Sequence, residues 1–222
     1  MKIANLILLS SSILFFNSCK KSTSNDQVLQ YQLQTTNRSA VVNAPLSAGS
    51  ITWTSGNASA TMIKLEAKNS SGTEVEYKSA ITQQIDLFLP VAANLGNVVL
   101  PPGTYSEVEF KISMNQNGNT PALQLNGQYI NGNGVVTPVR FVMNSLLEIK
   151  GEQSNVTITS SGNTSEITSL NLAALTSGIS QIMLNNATVT GGTIVISSSV
   201  NAALYNIIAG NLVQSHEVEL HH

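Results

Sequence analysis

Strict alternation of charged and apolar residues over short runs is the feature that most narrows what this chain can fold into. In Met62-Ile63-Lys64-Leu65-Glu66-Ala67-Lys68 the charges fall on even positions and the apolar residues on odd ones, and Glu74-Val75-Glu76-Tyr77-Lys78 repeats the pattern. A period of two belongs to an extended strand, whose successive side chains point to opposite faces, so each run predicts a strand with one dry face. Asn69 to Gly72 between them carries turn chemistry. For both charged sets to share the solvent face, opposed residues must sum to an even number. That selects a three-residue loop, Ser70-Ser71-Gly72, with Gly72 left-handed, Asn69 opposite Thr73 and Lys68 opposite Glu74.

The same period returns after Leu100-Pro101-Pro102-Gly103-Thr104-Tyr105, where the Pro-Pro-Gly turn leads into Ser106-Glu107-Val108-Glu109-Phe110-Lys111-Ile112. Val108, Phe110 and Ile112 should face inward and Glu107, Glu109 and Lys111 outward. Tyr105 then falls on the outward parity, where its ring covers a sheet edge or loop, or contacts a ligand. Apolar-rich runs from Ala122 to Ile130 and from Val135 to Met143 flank Asn131-Gly132-Asn133-Gly134, a hairpin signal. A short strand is expected from Val156 to Thr159.

Beyond Ser160 the period changes. Leu172, Leu175, Ile179, Ile182 and Met183 recur at spacings of three and four, which predicts an amphipathic helix from about Leu170 to Asn185, weakened by Gly178. Thr193 to Ser197 reads as a strand, and Asn201 as the cap of a second helix carrying Leu204, Ile207, Ile208 and Leu212. These elements predict a mainly β protein. We expect an antiparallel β-sandwich from about Val28 to Thr159 with one or two C-terminal helices packed on it, residues 165–213 adding helix, strand and helix to one domain spanning 28–213. High burial is expected at Ile63, Leu65, Val75, Tyr77, Val108, Phe110 and Ile112, each contributing on the order of 1.5 to 3 kcal/mol if fully buried. Their neighbours Lys64, Glu66, Glu74, Glu76, Glu107, Glu109 and Lys111 should be exposed.

Composition bounds the partners. Charged residues are only 10% of the 222, against about 25% in an average soluble domain, so Ser, Thr, Asn, Gln and Gly must supply the polar surface. The formal charge is −2, and no Lys or Arg follows Lys150. Nucleic acid is excluded as a partner on this ground, because its affinity comes chiefly from neutralising phosphates. The N-terminus is of another kind. Lys2 precedes an apolar run from Ile3 to Phe16, shorter than the roughly 20 residues a membrane-spanning helix needs, and small or polar residues then lead to Cys19, the only cysteine. That is the layout of a secretory signal removed before Cys19, residues 1–18, followed by a polar tether over 19–27. A polar tail is expected over 214–222.

The end of this leader resembles the lipobox of bacterial lipoproteins, whose pattern is Leu, small, small, Cys; Phe16-Asn17-Ser18-Cys19 departs from it at Phe16 and Asn17. The resemblance implies a diacylglycerol thioether on Cys19 and membrane attachment through that lipid. Together with Ile51-Thr52-Trp53, Ile85-Asp86-Leu87-Phe88, the Leu-Pro-Pro-Gly-Thr-Tyr unit and the late Ile-Val-Ile-Ser-Ser strand, it is similar to Bacteroidetes-type lipoproteins carrying a domain of unknown function. The more specific core covers about Lys64 to Val142. This likeness implies a β-sandwich on the cell envelope, an outer-membrane lipoprotein on the periplasmic face or the cell surface, and it brings no catalytic residues.

Catalytic motifs fail one by one. There is no Gly-x-Ser-x-Gly and no phosphate loop, and Ser18 to Lys21, the one Ser-x-x-Lys, straddles the cleavage site. His216, His221 and His222 crowd the C-terminus, but a spacing of five turns the second imidazole away from the helix face holding the first, so no metal site is expected. Aspartate is too sparse for a calcium loop. Glycosidase chemistry needs two carboxylates about 5 to 9 Å apart, which Glu74, Glu76, Glu107 and Glu109 could supply if their strands adjoin; the plainer reading is a solvated face shared with lysines. Asp86, flanked by Ile85, Leu87 and Phe88, reads as the cap of a turn or short helix. Trp53, the only tryptophan, is the first place to look for a stacked sugar, although a Trp in an alternating strand more often plugs a core or edge. The expectation is a non-enzymatic binding, adhesion or scaffolding module of the envelope, with no cofactor, Trp53 and Tyr105 as candidate ligand contacts, and a glycan or envelope protein as partner. A carbohydrate-active enzyme using paired glutamates is the alternative.

Overall fold

One strand of 21 residues organises the structure, a computed structural model that describes residues 27–42, 49–160 and 164–221. The elements run β1 (Gln27–Thr36), β2 (Ser39–Val42), β3 (Gly49–Asn69), β4 (Glu74–Asp86), β5 (Ala93–Leu100), β6 (Gly103–Met114), β7 (Leu123–Ile130) and β8 (Val136–Met143). They continue with β9 (Leu147–Ile158), β10 (Thr164–Asn171), a 3-10 turn (Ala174–Thr176), α1 (Gln181–Asn185), β11 (Val189–Thr190), β12 (Thr193–Ile196), α2 (Ala202–Leu212) and β13 (His216–His221). Along one edge of β3 lie β2 and then β4; along the other lie β7 and then β6. Its second half therefore belongs to a β4-β3-β6-β9 surface, and its first half to a surface continuing through β7, β8, β12 and β11. A separate four-stranded sheet has the order β13-β10-β1-β5.

Each half of β3 hides its apolar face differently. The four-stranded sheet covers the second half: the rings of Tyr31 and Phe110 meet at 5.6 Å. β13 crosses β9 at Gly151, where a Cβ would stand 1.9 Å from Val218 Cγ2. Helical segments cover the first half. There the Trp53 indole donates to the Leu172 carbonyl at 3.3 Å, the Tyr129 hydroxyl to Asn185 Oδ1 at 2.9 Å, and Phe141 stacks on Tyr205 at 5.7 Å. The mainly β, sandwich-like architecture with added helices is thus the one the alternation predicts.

Two hairpins share one turn recipe. Asn69 Oδ1 accepts the amides of Ser71 and Thr73 at 3.0 and 2.8 Å, and Asn131 Oδ1 accepts those of Asn133 and Val135 at 3.0 Å each. Gly72 and Gly134 stand three residues on at φ +84° and +79°, where glycine meets no Cβ penalty. Lys68 faces Glu74 and Ile130 faces Val136, so both hairpins have the expected strands, and the first has the expected register.

The inward parity changes wherever the ladder bulges. On β3 the buried apolar side chains are Ile51 and Trp53, then Ala58 and Ala60, then Ile63, Leu65 and Ala67, with register shifts between Trp53 and Ser55 and between Ala60 and Met62. A third shift lies where Lys68 faces Glu107 but Asn69 faces Tyr105. It moves Tyr105 to the dry side, correcting the outward placement that unbroken alternation gives.

The C-terminal third needs the most correction. The predicted helix over Leu170–Asn185 is the end of β10, a 3-10 turn and the five-residue α1. β10 runs parallel to β1 inside the four-stranded sheet, and β12 parallel to β8, so residues 165–213 complete both layers rather than adding onto a finished sandwich. The expected polar tail over 214–222 is β13 from His216 to His221, antiparallel to β10. Asn201 stands at the N-cap position of α2 as expected, its carbonyl accepting the Tyr205 amide, but at φ +55° its side chain does not cap the helix and instead bonds Thr188 N, Thr188 O and Val195 O at 2.8, 2.9 and 2.8 Å. The short strand at Val156–Thr159 is the end of the twelve-residue β9.

Candidate functional site

The two aromatic residues singled out from the sequence are not ligand platforms. Trp53 is 1% exposed with its indole N–H already committed to Leu172, and Tyr105 is 3% exposed with its hydroxyl donating to the Pro101 carbonyl at 2.6 Å. Trp53 is the core plug that its alternating strand favours, and Tyr105 was displaced inward by the bulge beside it. Cys19 lies outside the described residues. Asp86 does cap a turn: its Oδ1 accepts the Phe88 amide at 2.8 Å. Among the described residues no group of three or more His, Cys, Asp or Glu is placed to hold a metal ion.

The candidate surface is the outer face of the β3 sheet, in two parts. On the first half of β3 this face is largely uncharged, its ionic groups being Arg140 of β8, opposite Asn126, and Asp86 of β4, opposite Asn57. Ser39, Thr52, Gln128 and Pro138 form one row across β2, β3, β7 and β8, while Val41, Ser50, Ile130 and Val136 form the next. Further along, Ser55 Oγ accepts the Asn126 amide at 3.2 Å, and Asn57 lies between Asp86 of β4 and Gln124 of β7. Here the face is indented by a groove of about 320 Å³ lined by Ser55, Gly56, Asn57, Gln84 and Asp86. Asn57 Oδ1 is buried there with no hydrogen-bond partner. An amide oxygen removed from water and left unpaired is destabilising, on the order of 1 to 3 kcal/mol, until a donor reaches it.

On the second half of β3 the same face carries an ordered charge pattern. Lys78, Lys64, Lys111 and Lys150 lie side by side across β4, β3, β6 and β9, and Glu76, Glu66, Glu109 and Glu152 form the adjacent row. All five lysines among the described residues are on this face. Lys64 pairs with Glu66 and, at 3.4 Å, with Glu76; Glu109 is held by Lys150 at 2.6 Å and Lys111 at 3.8 Å. These contacts leave Lys64, Glu66, Glu109 and Lys111 half-buried rather than exposed as predicted; Glu107, opposite Lys68, is half-buried too, whereas Glu74 and Glu76 are exposed. Val75 and Tyr77, expected in the core, are likewise only half-buried because β4 is an edge strand.

The glutamates proposed for glycosidase chemistry are brought onto one face but not onto adjacent strands. β3 separates Glu74 and Glu76 on β4 from Glu107 and Glu109 on β6, inserting Glu66 and Lys68 between them. A groove of about 210 Å³ does run among Glu66, Lys68, Glu74, Glu107 and Glu109. However, the hydrogen bond from Lys64 holds the Glu66 carboxyl below its ordinary range, the reverse of what a proton donor to a leaving group needs.

The carboxyl that does keep its proton lies elsewhere. Glu166 on β10 is fully buried between the sheets, beside Tyr31 of β1, and burial pushes its pKa up to about 8 despite the hydrogen bond donated by Thr168 at 2.6 Å. Its second oxygen has no partner. Sequence reasoning missed it because no strand was expected over Thr164–Asn171. The shared inward phase of Glu166, Thr168 and Leu170 is visible only once this segment is recognised as a strand.

No protein-family model, no curated protein and no solved structure matches the chain.

Proposed function

We propose that this is a lipid-anchored protein of the cell envelope, outer-membrane in location, whose β3 sheet acts as a non-enzymatic binding and adhesion module for a neutral, hydroxyl-rich glycan. The observation that carries the reading is the groove at Asn57. An unpartnered amide oxygen next to Ser55, Gln84 and the Asp86 carboxyl asks for hydroxyl donors, and Ser39, Thr52, Gln124, Asn126 and Gln128 continue the same chemistry across the sheet as far as the exposed apolar row of Val41, Ile130 and Val136. Its two ionic groups, Arg140 and Asp86, are of opposite sign, so the face carries no net charge to draw a polyion to it from a distance. The anchor rests on Cys19, the lone thiol at the end of the apolar run, and the first described strand starts close after it at Gln27.

Two measurements test this. The full chain in mild detergent is applied to a glycan array beside Asn57→Ala, a change that removes the acceptor without adding bulk. The wild type should bind a subset of neutral glycans and the variant should lose at least about tenfold in signal, the equivalent of one hydrogen bond of about 1.4 kcal/mol. Equal binding by both, or turnover of a bound polysaccharide, would sink the reading. For the anchor, Cys19→Ala should leave the membrane fraction and lose labelling by an alkyne fatty acid; persistence with membranes would refute the lipid attachment.

A further inference from the structure

The charge order on the second half of β3 goes beyond this reading. Like charges directly opposite one another on neighbouring strands are destabilising, yet the lysine row and the glutamate row each set four like charges side by side in three opposed pairs. A sheet ordered for its own pairing would alternate signs along each row. The ion pairs within the face offset this only in part: Lys78 and Glu152, at opposite ends of the two rows, form none with the described residues.

The order does suit a surface laid across the strands. Each of the four strands carries one Lys and one Glu two residues apart: Glu76 and Lys78, Lys64 and Glu66, Glu109 and Lys111, Lys150 and Glu152. The rows are therefore about 7 Å apart and about 14 Å long. We propose that this face is self-complementary and that a second copy of the chain docks on it face to face, about a two-fold axis running between the two rows. Such an axis keeps each strand over the same strand of the partner and exchanges the rows, so every lysine of the row meets a glutamate and the interface is isologous. Flanking rows agree with it. Glu74, Lys68, Glu107 and Ser154 meet the row of Ala80, Met62, Ser113 and Glu148, with no like charges opposed.

A single acidic or basic polymer fits less well, because either sign finds a repelling row within about 7 Å. Four strands by four rows amount to about 500 Å² per copy, below the roughly 800 Å² of a standard interface. The association is accordingly weak, reversible and salt-sensitive, and it leaves the neutral face free.

The test uses the full chain in mild detergent, followed by sedimentation velocity. At about 20 mM salt the protein should self-associate at micromolar to sub-millimolar concentration, and about 500 mM salt should weaken this at least tenfold by screening. Lys64→Glu with Lys111→Glu in one variant, and Glu66→Lys with Glu109→Lys in another, should each abolish self-association, while a one-to-one mixture should restore a heterodimer. If those half-buried changes unfold the sheet by circular dichroism, the exposed pair Lys78→Glu and Glu76→Lys serves instead. Each alone should weaken association severalfold, and the mixture should recover it. A monomeric wild type at about 200 µM in low salt, association indifferent to both substitutions, or a mixture that fails to pair would overturn the proposal. So would a monomer that binds dextran sulfate through this face, which would give the lysine row to a polyanion.

Discussion

The two halves of β3 are one continuous strand with opposite solutions to the same problem. The second half, from Met62 to Asn69, presents lysine and glutamate rows outward and rests inward on a second β-sheet. The first half, from Gly49 to Ala60, presents hydroxyls and amides outward and rests inward on irregular and helical segments. Both inner faces are equally dry, with Ile51, Trp53, Leu65 and Phe110 all at 1% exposure or less. The lesson is that the apolar set of a strand fixes which face is buried, while what covers that face is left to the rest of the chain. The outward set is correspondingly free to differ, and the two faces differ in chemistry because the core places no demand on them.

The largest expected effect asks whether the halves are energetically joined. Phe110→Ala removes a fully buried ring from the sandwich half and Phe141→Ala one from the helix half; each should destabilise by about 3 to 5 kcal/mol. Because β3 passes through both cores, either substitution should shift one cooperative transition seen alike by far-UV circular dichroism and by Trp53 fluorescence, which reports the first half. Separate transitions for the two signals would show that the halves melt independently.

A pH dependence should sharpen the contrast, since the buried carboxyl belongs to the sandwich half. Glu166 binds its proton with a pKa of about 8 in the folded protein, against 4.5 for an unperturbed glutamate. Between those values the folded state holds more protons than the unfolded one, so the stability present below about pH 4.5 declines as pH rises and levels off above about 8. The integrated loss is on the order of 4 kcal/mol. Denaturant titrations from pH 5 to 9 should show it, and Glu166→Gln should flatten the profile and be the more stable protein at pH 9. A wild-type profile already flat over that range would show that the carboxyl ionises without penalty.

The smallest effect lies in the other half. Trp53→Phe keeps the packing but removes the donor to Leu172, leaving that carbonyl short of a partner, and should destabilise by about 1 kcal/mol. In the wild type, the emission of this single tryptophan should be blue-shifted and resistant to iodide quenching. Ready quenching would place the first half of the sheet in a looser state than the second.

Where charges alternate with apolar residues, the sequence by itself determined strand, register and exposed face. Lys64, Glu66, Glu74 and Glu76 cannot enter a dry core unpaired, so the parity rule that sets Lys68 against Glu74 has one solution. Turn chemistry was as legible, because Asn69 and Asn131 carry in their own side chains the acceptor that closes the loop. Asp86 was readable for the same local reason. Long-range choices were not. The bulges at Thr54, Thr61 and Ser106 invert the inward set without any residue there being barred from a regular strand, and so the sequence pattern put Tyr105 outside. Leu170, Leu172 and Leu175 are compatible with a helical stripe, and only the vacant edges of β1 and β13 draw Thr164–Asn171 into a strand, carrying Glu166 into the core with it. Hydrogen-bond partners distant in the chain decide such segments, because a backbone edge left unpaired costs more than the propensity of a few residues can offset. The same holds for the outer faces: the Lys and Glu two apart on four strands stand in the sequence, but their alignment into rows exists only once β4, β3, β6 and β9 lie side by side.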